Sequence, residues 1–280
     1  MHVIKELTPL KELINQQKEN DKIIGFIPTM GALHTGHLSL INEADKTCDF
    51  VVVSIFVNPT QFNDPKDLEK YPRTLDADLA LLEKTPCNLV FTPEVNTIYP
   101  EPDNSMFDLG SLATVMEGKF RPGHFHGVVQ VVKRLFDIVE PRKAFFGQKD
   151  FQQVAIIKHM TKQLNLPVEI VSCPIIREKS GLALSSRNQL LSQEERKRAT
   201  TIYQTIFWAK SQNDKLDIKT LKQAVIEQIN VVDCLEVEYI EIADAETLQT
   251  VESWDDSPHI VLCATVYCGK VRLIDNIMLK

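Results

Sequence analysis

Two histidines, His34 and His37, stand three residues apart in the string PTMGALHTGH (28–37), where an apolar run gives way to helical spacing. A helix start presents unpaired backbone N–H groups and a partial positive charge, which suit the phosphates of a nucleoside triphosphate. Gly31 and Gly36 let the backbone approach such a ligand closely. Imidazoles there can donate hydrogen bonds to phosphate oxygens as charge builds on a departing pyrophosphate. A bare H-x-x-H is also compatible with a capped helix that carries two surface histidines.

Two further loops carry groups of the same kind. Gly147, Gln148, Lys149 and Asp150 follow a short apolar run, so that the ammonium can reach phosphate and the carboxylate can accept from ribose hydroxyls. Ser185, Ser186 and Arg187 combine two hydroxyls with a planar, permanently charged guanidinium, a good phosphate ligand set. Each has a bland alternative: solvated loop charges for the first, a polar interdomain linker for the second. Gln61 and Gln153 offer neutral amides to a carboxylate or hydroxyl, although a glutamine picked out by spacing is usually just exposed. His124 and His126 make a second histidine pair, and four histidines can hold zinc. No cysteine or carboxylate completes a ligand spacing around them, however, and their glycine-rich settings suit phosphate better.

These loops need elements to hold them. Thr8 and Pro9 followed by Leu10, Leu13 and Ile14 predict a cap, a first-turn proline and a short helix to about Asn20. Ile23 to Pro28 reads as a strand, Gly31 to His37 as a turn, and Leu38, Ile41 and Ala44 as a helix face. Phe50 to Val57 is apolar almost throughout and β-branched, as in a strand covered on both faces. Helical and strand patterns then alternate: 75–82, 89–91, 128–139, 144–146, 151–164 and 168–173. Strands separated by helices predict parallel crossovers and an α/β, doubly wound, Rossmann-like sheet, in which ligands bind beyond the carboxyl ends of the strands. The unusual loops all follow strands, including Asn58 to Phe62.

The pattern changes after Ile176. Ser192 with Glu195 forms a capping box, Ala199, Ile202, Tyr203, Ile206 and Phe207 share a helix face, and a second helix starts at Asp217. Strands follow over 237–242 and 260–279, the last pair turning near Gly269. The expected organisation is a Rossmann-like domain over 1–176 and a smaller α+β domain over 177–280.

Composition narrows the function classes. A net charge of −7 argues against a broad nucleic-acid footprint, so positive groups near any anionic substrate must overcome that field locally. No apolar run is long enough to cross a bilayer. The first residues lack the long apolar stretch and small-residue cleavage site of a secretory signal, so a cytoplasmic location is expected. The six cysteines have no C-x-x-C spacing and sit mostly among apolar residues, which suits buried, reduced thiols.

Taken together, PTMGALHTGH, SIFVNPTQF, YPRTL, EGKFRPGHFHGV, FGQKDFQQ, GLALSSRN and RLIDN, from Ile24 to Asn276, resemble the pantoate–β-alanine ligase (pantothenate synthetase) family. That family belongs to the nucleotidyltransferase superfamily marked by His-x-Gly-His. The last signature alone fits many adenylyl and cytidylyl transferases, whereas NPTQF, RPGHF and KDFQQ together are specific. The resemblance implies ATP-dependent joining of pantoate to β-alanine through a pantoyl-adenylate, with release of pyrophosphate and AMP. It implies Mg2+ carried by the ATP phosphates rather than by protein ligands, a homodimer, and a C-terminal lid. It assigns catalysis to His34, His37, Lys149 and Arg187, with His37 as proton donor. Met30, Gly36, Gly147, Asp150 and Ile176 would complete the ATP site, the last against adenine, while Leu184, Ser185, Ser186 and Arg187 close over the phosphates. Gln61, Gln153, Asn58 and Phe56 would hold pantoate. Gln130 departs from the pattern, standing where threonine is expected, and a changed pantoate wall is the expected consequence.

Three other readings differ in kind. A nucleotidyltransferase would keep the nucleotide on its product, and a tRNA synthetase fragment would need a basic extension that does not follow SSRN. A non-catalytic nucleotide sensor would keep the glycines and Asp150 but not His37 and Lys149.

Overall fold

Alternating residues of each apolar strand face two different layers, and this alternation explains the first half of the chain. A computed structural model describes every residue except Asp64 and Asp214, and leaves the Asp67 side chain undescribed. The strands β1 (His2–Ile4), β2 (Ile24–Thr29), β3 (Phe50–Ile55), β4 (Leu89–Phe91), β5 (Lys143–Gly147) and β6 (Glu169–Cys173) form one sheet in the order β1-β4-β3-β2-β5-β6. All of its pairings are parallel. Phe26, Val52, Leu89, Phe91 and Phe146 pack on one face against α1 (Leu7–Glu19) and α7 (His124–Val139). Ile27, Val51, Val53, Val90 and Phe145 pack on the other against α2 (Thr35–Asp45) and α4 (Leu75–Leu82). Short helices α3 (Pro65–Lys70), α5 (Val95–Ile98) and α6 (Met116–Phe120) join the crossovers, and α8 (Phe151–Gln163) links β5 to β6. This is the expected Rossmann-like α/β sheet.

From β2 the chain builds outward through β3 and β4, then returns to place β5 on the opposite side of β2. The strand order therefore reverses between β2 and β5, and the crevice beyond their carboxyl ends is where such sheets bind ligands.

The second half carries α9 (Gln193–Lys210), α10 (Ile218–Asn230) and the antiparallel strands β7 (Leu235–Asp244), β8 (Ile260–Cys268) and β9 (Val271–Met278), in the order β7-β8-β9. The Ser192–Glu195 capping box, the Asp217 cap and the turn at Gly269 (φ +57°) are all in place. In β8, Leu262, Ala264 and Val266 pack on the helices, while Val261 and Cys263 join the core of the first half. Both faces are covered, which is why β8 is apolar at every position but Thr265, itself buried.

Some boundaries differ from the sequence reading. Strand β1 was not anticipated; it is held by pairing with β4, far away in sequence. Helix α1 starts at Leu7, with Glu6 as a cap lacking a side-chain hydrogen bond, so Pro9 falls at the third position, where a helix still has no use for an N–H. Helix α7 begins at His124 rather than Val128, launched by Gly123 at φ 82°. Glycine and histidine there look like loop, but the left-handed glycine is the cap.

Candidate active site

The turn after β2 is held from outside its own sequence. Gly31 and Ala32 take positive φ values of 81° and 50°, and the N–H groups of Ala32 and Leu33 point at α4. Asp78 of α4, only 2% exposed, accepts from Ala32 N at 3.0 Å and Leu33 N at 2.8 Å. Thr74 Oγ1 donates to the same carboxylate at 3.2 Å. Sequence reasoning missed Asp78. Its signal was an acid on the apolar stripe of α4, three residues after Leu75 and four before Leu82.

His34 is the N-cap of α2, and with His37 it forms a reciprocal capping box. His34 Nδ1 accepts from Gly36 N at 3.1 Å, and His37 Nδ1 accepts from His34 N at 3.3 Å. With both Nδ1 atoms acting as acceptors, each neutral imidazole carries its proton on Nε2. Burial, then the neighbouring His34 and the Lys149 ammonium, pushes His37 down to about 3, and burial with Lys149 lowers His34 despite Asp150. Both rings are thus uncharged donors at neutral pH. Gly36 is required by this packing, since a Cβ there would lie 2.8 Å from the His34 ring.

Across the crevice, a 3-10 turn over Gln148–Asp150 follows β5 and carries Lys149 and Asp150, whose charges are 3.9 Å apart. The wall beside it is made of amides. Asn58 Nδ2 donates to Gln61 Oε1 at 3.2 Å and to Gly127 O at 3.0 Å, Tyr99 OH donates to Asn58 Oδ1 at 3.0 Å, and Gln61 Nε2 meets Met30 Sδ at 3.0 Å. Gly127 lets α7 close on the 3-10 turn Pro59–Gln61: a Cβ there would meet Thr60 O at 2.4 Å. Phe56 is buried behind Tyr99, and Gln153 sits half-buried on α8.

The third wall is a narrow hairpin. Leu184 N donates to Ile176 O at 2.9 Å, and Ser185 caps a 3-10 turn over Ser186–Leu190 by accepting from Arg187 N at 3.2 Å. The Arg187 guanidinium rests on Arg272 O at 3.4 Å. The residues that the resemblance assigned to catalysis, ATP and pantoate, from Met30 to Arg187, all line one cavity of about 890 Å³.

The four histidines do not converge. His124 Nδ1 donates to Gln61 O at 2.8 Å and its Nε2 faces Arg121 Nη1 at 3.3 Å, while burial first and Arg121 second lower it to about 4. His126 lines a separate pocket with Phe107 and Pro122. Among the described residues, no group of three His, Cys, Asp or Glu side chains could hold a metal ion. Gln130 also corrects the sequence reading. Its amide donates to Asp103 O at 3.2 Å and Ser105 O at 3.1 Å, tying a surface loop to α7, and it does not line the cavity. Five of the cysteines are buried thiols and Cys234 is exposed.

A sequence model described as pantoate-beta-alanine ligase matches residues 2–278. Pantothenate synthetase of Porphyromonas gingivalis is 53% identical over 277 residues, covering 99% of both chains. That of Bacteroides thetaiotaomicron is 50% identical over 280 residues, covering 100% of this chain and 99% of the relative. The crystal structure of pantothenate synthetase from Thermus thermophilus superposes with a TM-score of 0.92 at 37% identity, covering 100% of this chain and 99% of its own. Pantoate-beta-alanine ligase from Francisella tularensis, crystallised with beta-gamma ATP and beta-alanine, gives 0.79 at 35% identity, covering 100% and 98%.

Proposed function

Because the chain belongs to the pantoate–β-alanine ligase family, we propose that it condenses pantoate with β-alanine at the expense of ATP, through a pantoyl-adenylate. The observation that carries this reading is the placement of two neutral Nε2–H donors, His34 and His37, opposite Lys149 across the β2/β5 crevice, beside the amide wall of Asn58 and Gln61.

Pantoate's carboxylate is ionised at neutral pH and attacks the α-phosphorus without a base. An O–Pα bond forms, the Pα–O–Pβ bond breaks, and pyrophosphate leaves with the electron pair. The demands are alignment and neutralisation of the leaving group. Lys149 and Arg187 supply charge, and the histidines supply directed hydrogen bonds. With His37 uncharged in the free site, its part as proton donor is that of a hydrogen-bond donor whose pKa an arriving polyanion will raise. Asp150 would take the ribose hydroxyls, Met30, Gly147 and Ile176 would complete the ATP side, and Phe56, Asn58, Gln61 and Gln153 would take the pantoate. In the second step the amine nitrogen attacks the acyl carbon and AMP departs, so no covalent enzyme nucleophile is needed. Mg2+ would ride on the phosphate oxygens: of the described carboxylates lining the cavity, Asp78 is engaged by the turn, Glu117 by Arg272 and Asp275 by Arg177, and the remaining one, Asp150, is assigned here to ribose.

The reading includes a division at 176/177, with 177–280 as the lid; in its support, Leu182 and Leu191 pack in the core of α9 and α10. It also includes a cytoplasmic homodimer; among the described residues no helix is long and apolar enough to cross a membrane. The test is isotope exchange. Labelled pyrophosphate should enter ATP when pantoate and Mg2+ are present and β-alanine is absent, and adding β-alanine should convert exchange into net AMP release. Formation of ADP and phosphate without exchange would show an acyl-phosphate route instead.

A further inference from the structure

Lys149 owes its placement to a residue of the other sheet. Asn276, on β9 and only 2% exposed, donates from Nδ2 to Gln148 O at 2.9 Å and to Lys149 O at 3.0 Å. Both protons of one amide are spent on consecutive carbonyls of the 3-10 turn that carries the cavity's ammonium, from 127 and 128 residues away. The Asn276 Oδ1 atom is buried without a partner among the described residues, so the two donated bonds orient the amide, and its backbone is fixed separately. Its own backbone N–H donates to Asp275 Oδ1 at 2.8 Å. Asp275 is paired two-fold with Arg177, at 2.6 and 2.9 Å, and that guanidinium stacks 3.9 Å over the Tyr203 ring. Arg177 stands at the root of the hairpin bearing Ser185 to Arg187, and Asp275 is buried. Two adjacent residues of β9 thus fix the turn that presents Lys149 and the hairpin that presents Arg187.

We propose that Asn276 is a positioning residue for Lys149, setting where the ammonium stands relative to the hairpin across the cavity. Asn276 borders the cavity, but both of its amide protons go to the turn, so it acts by fixing the peptide planes on which the Lys149 side chain is mounted. The inference rests on the ligase reading of the site. A displacement of about 1 Å in such a group can cost on the order of 10²-fold in rate, whereas a residue that only stabilised the fold would lower melting temperature without reference to Lys149.

The experiment is a double-mutant cycle read as kcat/KM for ATP in pantoate-dependent pyrophosphate exchange, beside melting curves. Asn276→Ala should lower kcat/KM by ~10-fold or more in the otherwise native enzyme, mainly through kcat. In a Lys149→Ala background the same change should cost no more than about twofold, because its target is gone. Asn276→Ser, which keeps one donor, should recover part of the loss, and it takes the place of the alanine variant in the cycle should that one unfold. Asn276→Asp preserves shape but turns acceptors toward two carbonyls, and should be as impaired as alanine or worse. Equal losses in both backgrounds, or an Asn276→Ala enzyme within twofold of wild type, would overturn the proposal and leave the ligase reading intact. Wild-type enzyme without pantoate-dependent exchange would remove the reading and this inference together.

Discussion

At the scale of single residues, the site separates charge from direction. Lys149 and Arg187 bring full charges, while His34 and His37 bring aimed N–H groups whose tautomers are set by backbone amides. Lys149→Ala should lower turnover by ~10²-fold or more, as losses of transition-state charge partners do, with a melting temperature close to wild type. His37→Ala should also lower turnover, but here the melt should move, because the ring caps α2 and a lost cap costs about 1 kcal/mol. Steady-state rates beside calorimetry separate the two. Protonation gives a further test. Burial holds the native His37 pKa at about 3, below the 6.5 expected of an unfolded chain. A depressed histidine contributes stability above pH 6.5 that is lost as pH falls toward 3, since only the unfolded state takes up the proton. His37→Asn should therefore flatten the fall in stability across that window, measured by urea unfolding at a series of pH values. A slope equal to wild type would mean that the ring titrates normally.

At the scale of elements, close approach decides what the loops can do. Helix α7 reaches the Pro59–Gln61 turn because residue 127 has no Cβ, and His124 and Asn58 then tie the two together at 2.8 and 3.0 Å. Gly127→Ala forces a contact with Thr60 O and should destabilise by about 1–3 kcal/mol, the usual cost of overpacking. More tellingly, it should raise the pantoate requirement much more than that for ATP, since Gln61 moves with the turn and the β2 loop does not. Separate titrations of the two substrates check this, and equal weakening of both would take Gln61 out of the pantoate wall.

At the scale of the molecule, helix α6 of the first half is joined to the second sheet by an ion cluster beside the cavity. Glu117 of α6 accepts from Arg272 Nη1 at 2.9 Å and Nη2 at 2.6 Å and from Tyr239 OH at 3.1 Å, while Arg272 Nε donates to Glu238 at 3.0 Å. Burial pushes Glu117 up, and the Arg272 hydrogen bonds and charge overcome it, so the carboxyl titrates below its usual range. Glu117→Gln strips one charge from a largely buried pair, and breaking such pairs costs about 3–5 kcal/mol. Chemical denaturation should show a loss of that order, with faster proteolysis between the two halves. Because the Arg272 carbonyl also receives Arg187, the same variant should weaken ATP binding. Unchanged proteolysis and unchanged ATP affinity would make the cluster incidental.

Periodicity and caps act within a few residues, so the sequence by itself determined the strand and helix alternation, the capped start of α2, the Ser192–Glu195 box and the turn at Gly269. Strand-then-loop order likewise placed the chemistry-bearing residues after β2, β3 and β5. Which of those loops would meet followed only from the return of the chain to set β5 beside β2, a choice made by burial over more than a hundred residues of separation. The supports for the site are of the same long-range kind: Asp78 under the histidine turn, Gly127 against Thr60, Asn276 beneath Lys149. The uncharged state of the histidines arises from desolvation, which no local pattern records. Gln130 shows the converse, because its position in the string pointed to the cavity wall while its helical phase turns it toward the loop at Asp103. A side chain's neighbours along the chain set its direction only once the helix carrying it has been packed.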